Sequence, residues 1–270
     1  MRKSNVFWGV IILLAGVLLL LDTLNIIPSG WGSLFWPLLL VFLGLWFLLA
    51  PRGSRRWESG GMVTEGAQKV EIALENSTEA EVEINHGAGR LEVHAGSDPA
   101  MLLSGSFDES LRHTVRREAF KAFVKLDADG TVFVPPMIGS HGIHWNMGLA
   151  KGIPLSLRLH TGANETVLDL RDLQVTDLRI ETGASSTRVD LPAAAGMTRV
   201  KVEGGAASVD FTVPQGVAAR IRVDSGLSGV NIDTLRFPQT GNVYQSADYD
   251  TAVNKIELTA EMGAGSVSVH

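Results

Sequence analysis

The side chains in this chain that could do chemistry are few and are not assembled as a reaction would need. His141 and His144 have the H-x-x-H spacing of a metal-binding pair. They fall in a Gly-rich stretch, Met137 to Lys151, with no adjacent Glu to serve as base, and two imidazoles are too few ligands for zinc. Asp169, Asp172, Asp177 and Asp190 are acids of the kind that polysaccharide-cleaving β-helix enzymes gather. Asp169 and Asp190, however, fall at one register of a 21-residue repeat and read as a stacked pair. Asp alternating with Leu is also what a half-buried strand shows. Asp22 ends a long apolar run, at a position read as an interfacial loop. There is no Gly-rich phosphate loop ending in Lys-Ser or Lys-Thr and no G-x-S-x-G. With no Cys, the chain has no thiolate nucleophile, disulfide or Cys-ligated metal. The expectation is a protein that is not an enzyme and needs no cofactor or metal. The net charge of −6 argues against nucleic acid as a partner.

The elements that would position any site come from a repeat. Six segments share one pattern: Val82-Glu-Ile-Asn-His-Gly87, Leu157-Arg-Leu-His-Thr-Gly162, Leu178-Arg-Ile-Glu-Thr-Gly183, Val200-Lys-Val-Glu-Gly-Gly205, Ile221-Arg-Val-Asp-Ser-Gly226 and Leu258-Thr-Ala-Glu-Met-Gly263. Five and three residues before the Gly the side chain is apolar. A small residue usually follows it, and four to six residues beyond it apolar residues return, as at Leu91 and Val93 or Val267 and Val269. Each unit is therefore a strand, a Gly corner where backbone freedom serves a sharp bend, and a second strand. Gly162, Gly183, Gly205 and Gly226 are spaced by 21, 22 and 21 residues. One unit cannot bury its own apolar face, so a fixed period implies stacking. The fold class expected for residues 67–270 is an all-β domain, a parallel β-helix or solenoid with a period of about 21, coiled right-handedly on crossover grounds.

The outward positions agree in register. Arg158, Arg179, Lys201 and Arg222 stand four residues before the Gly; His160, Glu181, Glu203 and Asp224 stand two before it. Stacked coils would place a cationic column beside an acidic one, the two offsetting the like-charge repulsion within each. Such a face either binds a ligand or discourages sideways aggregation. Residues 97–154 interrupt the repeat. There Phe107 to Leu126 fits neither period, Thr131–Val134 before Pro135 and Pro136 reads as a strand ending at a turn, and Met137 to Lys151 reads as loop. This insertion is expected to cap the solenoid as a strand pair or a short helix. The chain stops inside its last repeat, Gly263 to His270, without the polar cap solenoids usually carry, which favours end-to-end assembly.

Ahead of the β-domain, Val6 to Leu21 and Leu34 to Ala50 contain no charged residue, and Pro28-Ser29-Gly30 separates them. A bilayer core of about 30 Å takes about 20 helical residues, so residues 1–50 are expected to form a two-helix transmembrane hairpin. Trp8, Trp31, Trp36, Trp46 and Trp57 cluster in and beside it, as interfacial aromatics do. Arg2 and Lys3 precede the first run, Arg52, Arg55 and Arg56 follow the second, and the connecting loop has neither Lys nor Arg. The positive-inside rule then places both termini, and the β-domain, in the cytoplasm. Residues 51–66 read as a linker.

Ile153-Pro-Leu-x-Leu-x-Leu-x-Thr-Gly-Ala163, Leu168-Asp-Leu170, Leu178-x-Ile-x-Thr-Gly-Ala-Ser185 and Val189-Asp-Leu-Pro192 resemble the bacterial toast-rack domain of LiaF-like cell-envelope stress-response proteins. The N-terminal hairpin, with Phe35-Trp-Pro-Leu-Leu-Leu40, is similar to the LiaI/LiaF-type transmembrane region of the same proteins. LiaF-type regulators commonly have four spans, where two are read here. The resemblance implies a bacterial membrane protein whose solenoid meets a protein partner, a membrane sensor kinase among the candidates, in envelope-stress sensing. The other readings are a self-associating, membrane-attached β-helical scaffold and, third, a carbohydrate-active enzyme.

Overall fold

The computed structural model describes residues 67–108, 111–128 and 143–270, and every regular element among them is a strand. The expected hairpin and linker, with Asp22 and the flanking Arg2, Lys3, Arg52, Arg55 and Arg56, lie outside the described residues, as does Thr131–Val134. Among the described residues no helix is long and apolar enough to cross a membrane. In chain order the strands are β1 (Gln68–Ala73), β2 (Glu79–Ala95), β3 (Met101–Phe107), β4 (Leu111–Glu118), β5 (Lys121–Ala128), β6 (His144–Leu149) and β7 (Pro154–Asp169). There follow β8 (Gln174–Thr182), β9 (Ser186–Asp190), β10 (Met197–Thr212), β11 (Ala218–Ile232), β12 (Gln239–Thr240), β13 (Val243–Gln245) and β14 (Lys255–Val269).

The long strands are each one coil bent at its glycine. In β7 the buried residues are Leu155, Leu157, Leu159 and Thr161 before the corner, then Asn164, Thr166 and Leu168 after it. The parity of burial switches at Gly162-Ala163, so both limbs turn their apolar sides to the same interior. From Asp169 the chain re-enters the next coil at Gln174 through Leu170–Leu173, a turn closed by Leu173 N–H donating to the Leu170 carbonyl at 3.0 Å. Four residues reach only about 14 Å, whereas a seven-residue limb is about 23 Å long. The limbs must therefore fold back on each other, near the usual ~10 Å separation of packed sheets. The inward leucines of both limbs, with Leu170 and Leu173 at the open side, belong to one buried cluster.

Coils stack in parallel, in register: Leu157 pairs with Leu178 and Leu178 with Val200, preserving the 21- and 22-residue steps. The stacking order then leaves the chain order. The expected neighbour of β10, the coil at Gly226, is displaced by the last strand: β14 pairs with β10 on one side and β11 on the other. The physical reason lies in size. At the inward position before the corner, β10 has Gly204, where a Cβ would lie 2.7 Å from Met262 Sδ of β14. Met262 fills the space that Gly204 leaves, whereas Ser225 of β11 would leave a void costing stability. The last repeat, β14, thus lies inside the stack between β10 and β11, not at the open end that the end-to-end reading supposes.

At the β2 end, β6 and β5 pair parallel with β2, and β3, β1 and β4 are added antiparallel beyond them. β6, β3 and β1 continue the second limb beyond β2, bringing Trp145 and Phe107 to 0% exposure. β5 and β4 continue the first limb. The stretch Met137 to Lys151 is thus not all loop, since His144–Leu149 is β6, and Phe107 to Leu126 spans the last residue of β3, all of β4 and most of β5. Its mixed periodicity follows from β4, which lies at the sheet edge and is exposed along most of its length. At the other end β13 covers only Arg220–Arg222 of β11.

One arginine ties the connection between β10 and β11 to the end of β14. The Arg236 guanidinium donates to the carbonyls of Val213 (2.6 Å), Pro214 (2.5 Å), Val217 (3.2 Å) and His270 (3.3 Å), and burial lowers its pKa. Arg236→Lys keeps the charge but loses the fork, leaving several carbonyls without a donor. It is expected to lower stability by about 2 kcal/mol in urea unfolding.

Candidate binding groove at the glycine corner

The corner glycines face one another across neighbouring coils in the order 87, 162, 183, 205, 263, 226. A Cβ on Gly162 would overlap the Gly87 carbonyl oxygen. On Gly183, Gly205, Gly263 and Gly226 it would come within 3.1, 3.2, 2.7 and 2.9 Å of the oxygen of the preceding member. None of the six has φ in the left-handed region, so the expected reason for them, freedom to bend, is corrected. Five of them, all but Gly87, are glycine because the backbone of the next coil occupies the space of a side chain. Left-handed backbone occurs two residues on, at Gly89 and Gly265, with φ of 125° and 127°.

Beside this ladder runs an open groove of about 1070 Å³. Its wall is the outward column two residues before the corner. Pairing places Asn85, His160, Glu181, Glu203, Glu261 and Asp224 on successive strands, about 4.8 Å apart. Four of the residues expected in one column, His160, Glu181, Glu203 and Asp224, are brought together. Glu261 was missed because the 37-residue step from Gly226 to Gly263 breaks the period, although its place in the repeat pattern marks it. His160 Nδ1 and a Glu181 oxygen are 3.0 Å apart. Lys201 reaches Glu203 at 2.5 Å and Glu261 at 3.5 Å, and these carboxylates raise its pKa.

The cationic column is less regular than expected. Arg158, Arg179 and Lys201 are successive, but Thr259 separates Lys201 from Arg222. Arg158 turns away from the groove to Glu81 at 3.0 Å, and Arg179 to Asp177 at 3.3 Å. The groove wall is therefore left predominantly acidic, with Lys201 as the cation that reaches into the acidic column.

The candidate chemical groups do not converge. Arg171 donates to Asp169 at 2.9 and 2.6 Å, and this hydrogen bonding holds the Asp169 carboxyl below its ordinary range. Asp172 meets Lys151 at 3.4 Å, while Asp190 stacks on Asp169 at the far end of the second limb. His141 is outside the described residues. His144 is 3.5 Å from Glu92, and among the described residues no group of three or more His, Asp or Glu side chains is placed to hold a metal.

One histidine faces the core and belongs to neither charge column. His86, one residue before Gly87, is 1% exposed; neither ring nitrogen has a partner, and its ring packs 4.9 Å from that of Trp145. Burial, with His144 nearby, pushes its pKa down to about 4. The signal in the sequence was its inward parity, two residues beyond Ile84.

Two family models match the chain. Residues 61–212 match the N-terminal domain of toast_rack, DUF2154, and residues 6–48 match the LiaI-LiaF-like transmembrane region. No curated protein matches. Among solved structures, a candidate cell adhesion protein from Clostridium sporogenes ATCC 15579 is similar in fold, with a TM-score of 0.68 at 19% identity, over 75% of this chain and 97% of that one. A candidate adhesin from Bacteroides fragilis NCTC 9343 aligns with a TM-score of 0.27 at 10% identity, over 78% of this chain and 100% of that one.

Proposed function

The chain belongs to the toast_rack family, and from that premise we propose that it is a membrane-anchored, non-enzymatic cell-envelope protein whose corner groove docks a cationic segment of a protein partner in envelope-stress sensing. The N-terminal region of transmembrane type keeps the protein at the bilayer. The observation that carries the reading is the groove itself, open along the corner and walled by Glu181, Glu203, Glu261 and Asp224. A wall of one sign set in low-dielectric protein focuses potential, raising the on-rate and selectivity for a cationic partner. Its length suits an extended peptide, since strand spacing puts the column from Asn85 to Asp224 at about 24 Å. The LiaF-like resemblance makes a membrane sensor kinase the first partner to test.

The hairpin is two-span in this reading, with both termini and the β-domain cytoplasmic, as the basic flanks direct. A reporter fused at His270 that is active only outside the cell would refute that placement. For the groove, the measurement is binding of an Arg/Lys-rich peptide to the wild type and to Glu181→Lys/Glu203→Lys/Glu261→Lys. Wild-type binding is expected to weaken steeply as salt rises, and the triple variant to bind about a hundredfold more weakly. Equal affinity for the two proteins would remove the groove as the docking site. These exposed acids lie outside the core, so near-native stability of the variant is the control.

A further inference from the structure

Among the described residues, the stack is left open along most of the outer edge of β11. From Val223 to Ile232 the outer edge of β11 has no ladder partner among the described residues, because β13 stops at Arg222. Val230 belongs to an inward column whose other members, Leu91, Thr166, Thr187, Val209 and Val267, are at most 2% exposed, yet it is itself 39% exposed. Leu227, at the position where the other coils have Ala, is 88% exposed. Among the described residues no further strand covers the core at this edge.

We infer that this edge pairs with the same edge of a second copy of the chain, antiparallel across a two-fold axis. Charge selects the occupant. Ser225 to Ile232 has no charged side chain, so two copies meet without like-charge repulsion and offer no ion-pair partner to another chain. The other long exposed edge, β4, carries Arg112, His113, Arg116 and Arg117, the kind of guard that keeps edges apart. An uncharged strand is self-complementary under two-fold symmetry, and the pairing extends both sheets through backbone hydrogen bonds. It also covers Val230 and Leu227. Eight residues a side bury less than the ~1,200 Å² of a stable free-standing dimer. Confinement of both copies to one bilayer supplies the missing association through effective concentration. The inference rests on membrane anchoring and is independent of the groove.

The absence of Cys makes the test clean. The full chain is reconstituted in liposomes as Gly229→Cys, Asn231→Cys or, on β4, Thr114→Cys, and treated with a short bis-maleimide. Gly229 has room for a side chain, with only the Gly265 oxygen at 4.0 Å. The two β11 variants are expected to give crosslinked dimer at least about tenfold above Thr114→Cys. Adding Val230→Lys to Asn231→Cys, with an unchanged melting temperature as the fold control, should abolish it. No crosslinking from β11, equal crosslinking from Thr114→Cys, or crosslinking that survives Val230→Lys would overturn the pairing. Peptide binding to the groove is measured separately, so either result can fail alone.

Discussion

Gly265→Ala is expected to unfold the β-domain at temperatures where the wild type is folded. Two independent demands meet at this residue. Its φ is 127°, a region that L side chains rarely enter, and a Cβ there would overlap the carbonyl oxygen of Ala207 while lying 2.7 Å from its carbon. Backbone strain costs about 1–3 kcal/mol, and pushing apart two coils that are hydrogen-bonded in register adds about 1–3 kcal/mol. Together they take roughly 4 kcal/mol from a domain whose total is about 5–15 kcal/mol. Other glycines separate the two causes. Gly216 has φ of 80° but open space around it, so Gly216→Ala should show strain alone, about 1 kcal/mol. Gly162 lacks the unusual φ but meets the Gly87 oxygen, so Gly162→Ala reports crowding alone. Gly87 has neither demand, and Gly87→Ala should be neutral or slightly stabilising. Urea unfolding of residues 62–270, one compact unit, should rank Gly265→Ala as the most destabilising, then Gly162→Ala, Gly216→Ala and Gly87→Ala. If Gly265→Ala were no worse than Gly87→Ala, the close approach of β14 and β10 would be wrong.

The second large effect is loss of stability in mild acid, carried by His86. Its pKa in the fold is about 4, against about 6.5 in an unfolded chain. Between those values the unfolded state binds more protons, so stability falls as pH falls. The contribution is fully present above about pH 6.5 and lost progressively down to about pH 4, some 3 kcal/mol in all. Carboxylates with lowered values, Glu83 through its Lys125 hydrogen bond and Asp169 through Arg171, lose their contribution only at still lower pH. The midpoint in urea should therefore drop between pH 6.5 and 4.5 in the wild type and stay nearly flat in His86→Leu. At neutral pH that substitution removes two unpartnered buried nitrogens and should cost little. A wild-type midpoint that does not move over this range would show that His86 is not held neutral by burial.

Both effects sit where neighbouring coils touch, and this bears on what the sequence can reveal. Apolar parity and the recurring glycine made the coil legible, because alternation and a corner are properties of one segment. Glu181 and Glu203 were legible as neighbours for the same reason, being 22 residues apart in consecutive coils. Glu261 was not, since its neighbours across the sheet are 58 residues before it, at Glu203, and 37 before it, at Asp224. The role of the glycines was misread for a related reason. A glycine looks the same in sequence whether it permits a bend or makes room for a carbonyl from elsewhere.

Hydropathy and period are local and repeat along the chain, so an apolar N-terminal region of transmembrane type and a β-domain of stacked, glycine-cornered coils are legible before any fold is known. The stacking order, the strands added beyond β2, the bare edge of β11 and the groove arise from contacts between coils. These depend on which surfaces fit: Met262 into the space left by Gly204, Arg236 onto the carbonyls of the final coils, Trp145 against His86. Such complementarity belongs to pairs of distant residues, and the period of either segment alone does not contain it.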